Sequence, residues 1–171
     1  DPDSGSVVFH CLDLAFEIAE KNQSEEIFTY FMAGNHDVIE DGSGRSVLHC
    51  LRHLGQYIEV IEEPRHFRFA GKIKGKPMRP RMGSFFPYPT RAKPYDVRAE
   101  IENVEPGGFV FSHLQLDGMH PGSETTDMPR GKDVFLPLEE LPECTVFQGH
   151  YHEQTSFQRG LAKVYIPGSI L

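Results

Sequence analysis

Four consecutive residues, Gly34-Asn35-His36-Asp37, carry a neutral oxygen ligand, an imidazole and a carboxylate on one short stretch. Asn offers an amide oxygen. His offers a ring nitrogen to a metal or a proton to a leaving group, and Asp can accept from the ring's other nitrogen. The residues before them, Glu26 to Ala33, are rich in β-branched and aromatic side chains and read as a strand. A strand that ends on glycine and then presents polar side chains puts them on a loop at its carboxyl end, where α/β proteins keep their sites. The same four residues are also compatible with ordinary turn chemistry.

Two further stretches repeat the pattern. Phe109-Val110-Phe111-Ser112-His113 is an apolar run ending on a histidine, and Cys144 to His152 is another, ending on Gly149-His150-Tyr151-His152. In an extended segment residues i and i+2 point the same way, so His150 and His152 are expected to face one site. Three strands that each deliver Asn or His at the end provide what a metal centre needs. His49 and His53 stand at i and i+4, but no Glu follows His49 as a helical zinc-protease motif would require. His10 reads as a surface or packing residue. His120 lies in a Gly-, Pro- and Ser-rich loop from Leu116 to Lys132, a length that suits a segment covering a site.

Gly34-Asn35-His36-Asp37, the lone His113 after a strand, and Gly149-His150-Tyr151-His152 resemble, in order and spacing, the later motifs of the calcineurin-like metallophosphoesterases. The resemblance implies a layered α/β sandwich of two packed β-sheets flanked by helices. It implies two divalent metal ions, Mn²⁺ first with Mg²⁺, Fe or Zn²⁺ as alternatives, and a water activated between them. Asn35, His113 and His150 would bind one ion and His152 the other. His36 would protonate the leaving oxygen, and Asp37 would orient His36. The Asp-x-His and Gly-Asp motifs with which the family begins are not in this chain, although Asp1 or Asp3 can be the end of the second. The resemblance therefore implies one metallophosphoesterase domain over residues 1–171 that lacks its first strands and the carboxylates they carry.

Arg81 to Pro89 and Pro167-Gly168-Ser169 resemble, more loosely, the SbcD-like DNA-repair exonucleases of the same family. This implies a DNA exonuclease or endonuclease, with a coiled-coil ATPase subunit and a second copy of the chain as partners. Another phosphodiesterase or a protein phosphatase of the family is the alternative. A catalytically inactive interaction module is a third reading, favoured by the missing ligands.

Composition sets the frame. The chain has 171 residues and a net charge of −8, against general attraction to nucleic acid. Yet ten cationic residues lie between Arg65 and Arg98 with only Asp96 opposing them. Arg79, Arg81 and Arg91 in this segment are the candidate nucleic-acid contacts; strands whose Lys and Arg guard a sheet edge would look the same. No apolar run approaches the ~20 residues of a membrane span. Three cysteines at unrelated spacings give no disulfide framework, and a cytoplasmic setting is expected.

The elements that must position these residues follow from periodicity. Ser6 to Asn22 has helical spacing with Ser4 or Ser6 as cap, and a second helix runs from Ser43 or Ser46 to Leu54 before Gly55. Tyr57 to Glu63, His66 to Ile73 and Met82 to Tyr88 read as strands. Tyr95 to Val104 reads as a helix, Pro137 to Leu141 as a short one, and Phe157 to Ile166 as one last strand.

Overall fold

The computed structural model describes residues 2–39, 41–70, 72–73, 76–77, 79–117 and 135–168; the side chains of 2–10, 72 and 73 are outside that description. Asp1, Ser169, and the loop read from Leu116 to Lys132 beyond Asp117, with His120, lie outside the described residues, as do the side chains of Asp3, Ser4, Ser6 and His10.

The fold is mixed α/β. Helix α1 (Pro2–Ser24) leads into β1 (Thr29–Met32). A short 3-10 turn over Asn35–Asp37 and a longer 3-10 helix over Val47–Leu54 precede β2 (Ile58–Ile61). Next come β3 (Arg65–Phe69), β4 (Lys72–Ile73), β5 (Lys76–Pro77) and β6 (Arg81–Phe86), then helix α2 (Val97–Ile101). Strands β7 (Phe109–Ser112), β8 (Gln115–Leu116), β9 (Phe135–Leu136), β10 (Cys144–Gln148), β11 (Thr155–Arg159) and β12 (Ala162–Ile166) complete it.

Six strands form one mixed sheet in the order β11-β12-β10-β7-β6-β3. Its four central strands are parallel, and β3 and β11 run antiparallel at its edges. β1 and β2 form a separate parallel pair, Thr29 opposite Ile58 and Met32 opposite Ile61. The alternation of side chains along each strand divides the large sheet into two faces. On one, Val110, Val146 and Val164 stand in register and are fully buried under Val97, Ile101, Leu136, Leu138 and Leu141. On the other, Phe85, Phe111, Phe147 and Tyr165 stand in register and stack, with centroids 4.8, 5.3 and 5.9 Å apart.

Tyr30 joins the two sheets. Its ring lies 5.2, 5.8 and 5.5 Å from those of Phe67, Phe69 and Phe85. The opposite face of β1–β2 is covered by Ala15, Phe16 and Ala19 of α1 and by Leu48, Leu51 and Leu54. The apolar spacing in α1 thus serves packing against the small sheet.

Several elements differ from their sequence reading. Phe157 to Ile166 is not one strand: the chain reverses at Gly160, which has φ 56°, and β11 pairs back on β12. A glycine in the left-handed region makes that turn without steric cost. The segment from Val47 to Leu54 is a 3-10 helix capped by Ser46, and Gly55 leaves it at φ 151° and ψ −177°, a conformation open to glycine but distinct from a left-handed helical cap. The helix read over Tyr95 to Val104 is limited to α2, whose start is fixed by Asp96 accepting from the amides of Arg98 and Ala99. The strand read over His66 to Ile73 is divided into β3 and β4. No helix among the described residues is long and apolar enough to cross a membrane.

Phe85 is 5% exposed and touches four other rings, while Phe147 is 38% exposed. Phe85→Ala should therefore cost about 3–5 kcal/mol in urea unfolding, and Phe147→Ala distinctly less. Equal losses would mean that Tyr30 and Phe85 do not hold the sheets together.

Candidate functional site

The site forms where β1, β7 and β10 end. β7 and β10 are parallel neighbours with Ser112 opposite Gln148, so His113 and Gly149 leave the sheet side by side. The His113 amide donates to the Phe86 carbonyl at 3.0 Å, and the Gly149 amide donates to that of Ser112 at 2.9 Å. β1 reaches the same edge from the other sheet, anchored by Tyr88 N–H to Ala33 C=O at 3.0 Å.

Gly34 sits directly against His113. A Cβ at Gly34 would lie 2.6 Å from His113 Cε1 and 2.7 Å from Nε2, closer than real contacts allow. Gly149 is nearly as close, at 3.2 Å from Nδ1. Two glycines thus wall the imidazole, one from each sheet. Between them His113 Nε2 meets Asn35 Oδ1 at 2.9 Å, and the His150 ring lies edge-on with centroids 5.4 Å apart.

Of the residues singled out in the sequence, Asn35, His113 and His150 are brought together. His36 is exposed, and its charge reaches both His113 and His150. His152 is also exposed and acts on both rings electrostatically. β10 ends at Gln148, and residues 150–152 follow a bend rather than a strand. Between the two histidines Tyr151 turns into the core, where its hydroxyl accepts from the Leu116 amide at 2.9 Å. Asp37 turns back on its own loop: Oδ2 accepts from the Gly34 amide at 2.7 Å, closing the turn that presents Asn35. Burial pushes the Asp37 carboxyl up, and the Gly34 amide and the His36 ring offset part of that.

Burial holds His113 down to about 3, helped by the neighbouring rings of His150, His36 and His152. Burial likewise depresses His150, with His36 and His152 adding to it. Both rings are therefore neutral at pH 7. Both nitrogens of His150 are buried without a hydrogen-bond partner, an arrangement that costs about 1–3 kcal/mol per group unless something else binds them.

These features fit a divalent ion in part. Asn35 Oδ1 and His113 Nε2, 2.9 Å apart, have the separation of adjacent ligands on one octahedral ion, ~3 Å for bonds of ~2.1 Å. The unpartnered His150 nitrogens supply a third donor. Against this, no three His, Cys, Asp or Glu among the described residues already surround one point. Asp37, the carboxylate of the Asn35–Asp37 turn, is committed to Gly34. Two ions would need bridging negative charge that no described contact supplies.

Of the candidate nucleic-acid contacts, Arg81 stands at the start of β6, the opposite end of the sheet from His113 and Gly149. Arg81 donates to the Gly107 carbonyl at 2.9 Å and lies 5.5 Å over the Phe109 ring. Arg79 and Arg91 are exposed. Elsewhere in the basic segment Arg68 pairs with Glu105 and Arg98 with Glu140. His49 and His53 form no ligand pair: His49 Nδ1 turns to Glu62 at 3.0 Å. Sequence reading missed the roles of Gly34 and Gly149 as walls, since only their distance to a ring 79 and 36 residues away reveals them.

No protein-family model, curated protein or solved structure matches the chain.

The depressed value of His113 lies below the ~6.5 of a free imidazole. Between about 3 and 6.5 the unfolded chain therefore binds this proton more readily than the folded one. Metal-free protein should lose stability as pH falls below 6.5, by at most ~1.4 kcal/mol per unit from this ring. The His113 ring should stay uncharged at pH 5 in a proton NMR titration. A midpoint at or above 6 would contradict the burial described.

Proposed function

We propose that this chain carries the site of a metal-dependent phosphodiester hydrolase of the calcineurin-like type, acting on DNA. One observation carries the reading. Asn35, His113 and His150 come from three strand ends in two sheets and meet at one edge, and both nitrogens of the half-buried His150 ring are themselves buried and unpartnered. Packing alone gives no reason to bury such a ring.

The finer fold proposal, a layered sandwich of two sheets, is supported by Tyr30 packing the small sheet on the aromatic face of the large one. Asn35, His113 and His150 would hold an ion, Mn²⁺ first among the divalent candidates, with His152 serving a second if one binds. A bound divalent ion would supply Lewis-acid polarisation of a phosphoryl oxygen. The chain's own residues do the rest. Gly34 and Gly149 fix the His113 ring, and Asp37 holds the loop so that Asn35 faces it. His36, exposed beside the cluster, can deliver a proton to a leaving alkoxide, a contribution typically worth ~10² to 10⁴ in rate.

The SbcD-like exonuclease branch, with a coiled-coil ATPase or a second copy as partner, rests on sequence resemblance. The cytoplasmic setting rests on three cysteines at unrelated spacings, and the free thiols of Cys11, Cys50 and Cys144 suit it. A second reading, an inactive interaction module, is favoured by the lack of a preset metal-binding group among the described residues.

Metal binding and turnover separate these readings. Mn²⁺ should bind the wild type in calorimetry, and His150→Ala should abolish both binding and hydrolysis. His36→Ala should keep the metal and lose about 10²- to 10⁴-fold in turnover on a DNA strand, with partial rescue on a nitrophenyl diester whose leaving group needs no proton. Metal binding without hydrolysis of either substrate would favour the interaction module. No metal binding at all would end the hydrolase reading.

A further inference from the structure

A second site stands at the end of β2. Glu62 follows that strand with its side chain only 3% exposed. Its Oε1 accepts from the Ser46 amide at 2.7 Å and the Ser46 hydroxyl at 2.9 Å. Its Oε2 meets His49 Nδ1 at 3.0 Å and Arg52 Nη2 at 3.3 Å. Burial pushes the Glu62 carboxyl up, but the Ser46 amide, the His49 ring and the Ser46 hydroxyl together hold it below its ordinary value. The carboxylate is thus charged and fixed, and it fixes what surrounds it. Arg52 is further held by the Val60 carbonyl at 2.7 Å. Lys93 reaches in from the loop after β6, 3.1 Å from Glu63 and 3.9 Å from Glu62.

These groups line a cavity of about 330 Å³, into which Arg45 and Arg65 also project. Neither arginine makes an ion pair among the described residues. Asp41 feels the charge of Arg45 only weakly. Four permanent cations therefore face two carboxylates. The chain as a whole is acidic, with a net charge of −8, so this local excess is not a general property of the surface.

We propose that the cavity is an oxyanion site that takes a phosphate group. The excess of about two positive charges matches a phosphate monoester, which carries roughly −1.5 to −2 at pH 7 and three strong acceptor oxygens. A carboxylate would need only one arginine fork. The cavity falls at the lower end of the ~300–1,000 Å³ of small-molecule sites, room for a phosphate together with the group that bears it. Arg45 and Arg65 are exposed and supply the unpaired guanidinium donors, while Arg52 and Lys93 are pre-oriented by Glu62 and Glu63. The site is separate from the histidine cluster and does not depend on that cluster holding a metal.

The test uses the full chain with EDTA present. Inorganic phosphate, adenosine 5′-monophosphate and an oligonucleotide without terminal phosphates are titrated in turn, followed by calorimetry and by amide NMR. At least one phosphate-bearing probe should bind and shift the amides of Ser46 and Arg52. Arg45→Gln/Arg65→Gln should weaken it tenfold or more. Lys21→Gln/Lys163→Gln makes the same change of charge at exposed positions outside the cavity and should leave binding unaltered. Preference for the two small probes would mark a free phosphate or phosphomonoester as the ligand; preference for the oligonucleotide would mark a backbone phosphate. The proposal fails if no probe binds, if both double variants weaken binding equally, or if the shifts centre on His113 and His150 instead of Ser46.

Discussion

The contact between the Gly34 backbone and the His113 imidazole is the constraint on which the candidate site depends. Gly34 belongs to the loop after the small sheet and His113 to the loop after a central strand of the large one. They can touch only if the two sheets are held at a fixed spacing and offset. Tyr30 sets that spacing by filling the gap above Phe67, Phe69 and Phe85. The hydrogen bond from Tyr88 to Ala33 sets the offset, one residue before Gly34. Any side chain at position 34 would meet the ring at 2.6 Å, so the absence of a Cβ there lets the amide oxygen of Asn35 reach Nε2.

The same closeness governs the electrostatics. Four imidazoles share a small region, and burial lowers the two that are inside it. The neighbouring imidazoles add to that effect on both inner rings. The two inner rings, His113 and His150, therefore stay neutral at pH 7, which suits a cation. Asp37 shows the complementary choice. Its carboxylate is spent on the Gly34 amide, so it shapes the loop instead of adding charge to the cluster. A carboxylate facing the rings would hold them protonated and occupy the lone pairs that an ion needs.

Much of this edge was legible in the sequence because each part of it is local. Glu26 to Ala33, Phe109 to Ser112 and Cys144 to Gln148 are apolar runs with strand-forming residues, and each carries its polar cargo immediately after its last apolar position. Chain order and strand ends then suffice to suggest convergence. The extended reading of Gly149 to His152 did not hold, because Tyr151 finds a partner in the Leu116 amide and the backbone bends to bury it. The hairpin at Gly160 was hidden for a different reason. Phe157 to Ile166 is continuously strand-like in composition, and the reversal depends on one glycine's conformation, which neighbouring apolar residues mask.

The cavity behind Glu62 was illegible because none of its parts is local. Arg45 and Arg52 come from either side of the Ser46 cap, Arg65 from the start of β3 and Lys93 from the loop after β6. In the sequence Glu62 is merely the polar end of a strand, and His49 looks like half of a helical metal pair. Folding reverses both impressions. β1 and β2 are parallel and in register, Met32 opposite Ile61, so the residues that follow them emerge at the same edge. One strand end delivers neutral donors suited to a cation, and its neighbour delivers Glu62, around which guanidinium groups suited to an anion gather. Adjacent strands lie ~4.8 Å apart, so these opposite preferences are kept distinct by what each loop does with its carboxylate. Asp37 closes its own turn and adds no charge to His113 and His150, whereas Glu62 turns inward and gathers cations around itself.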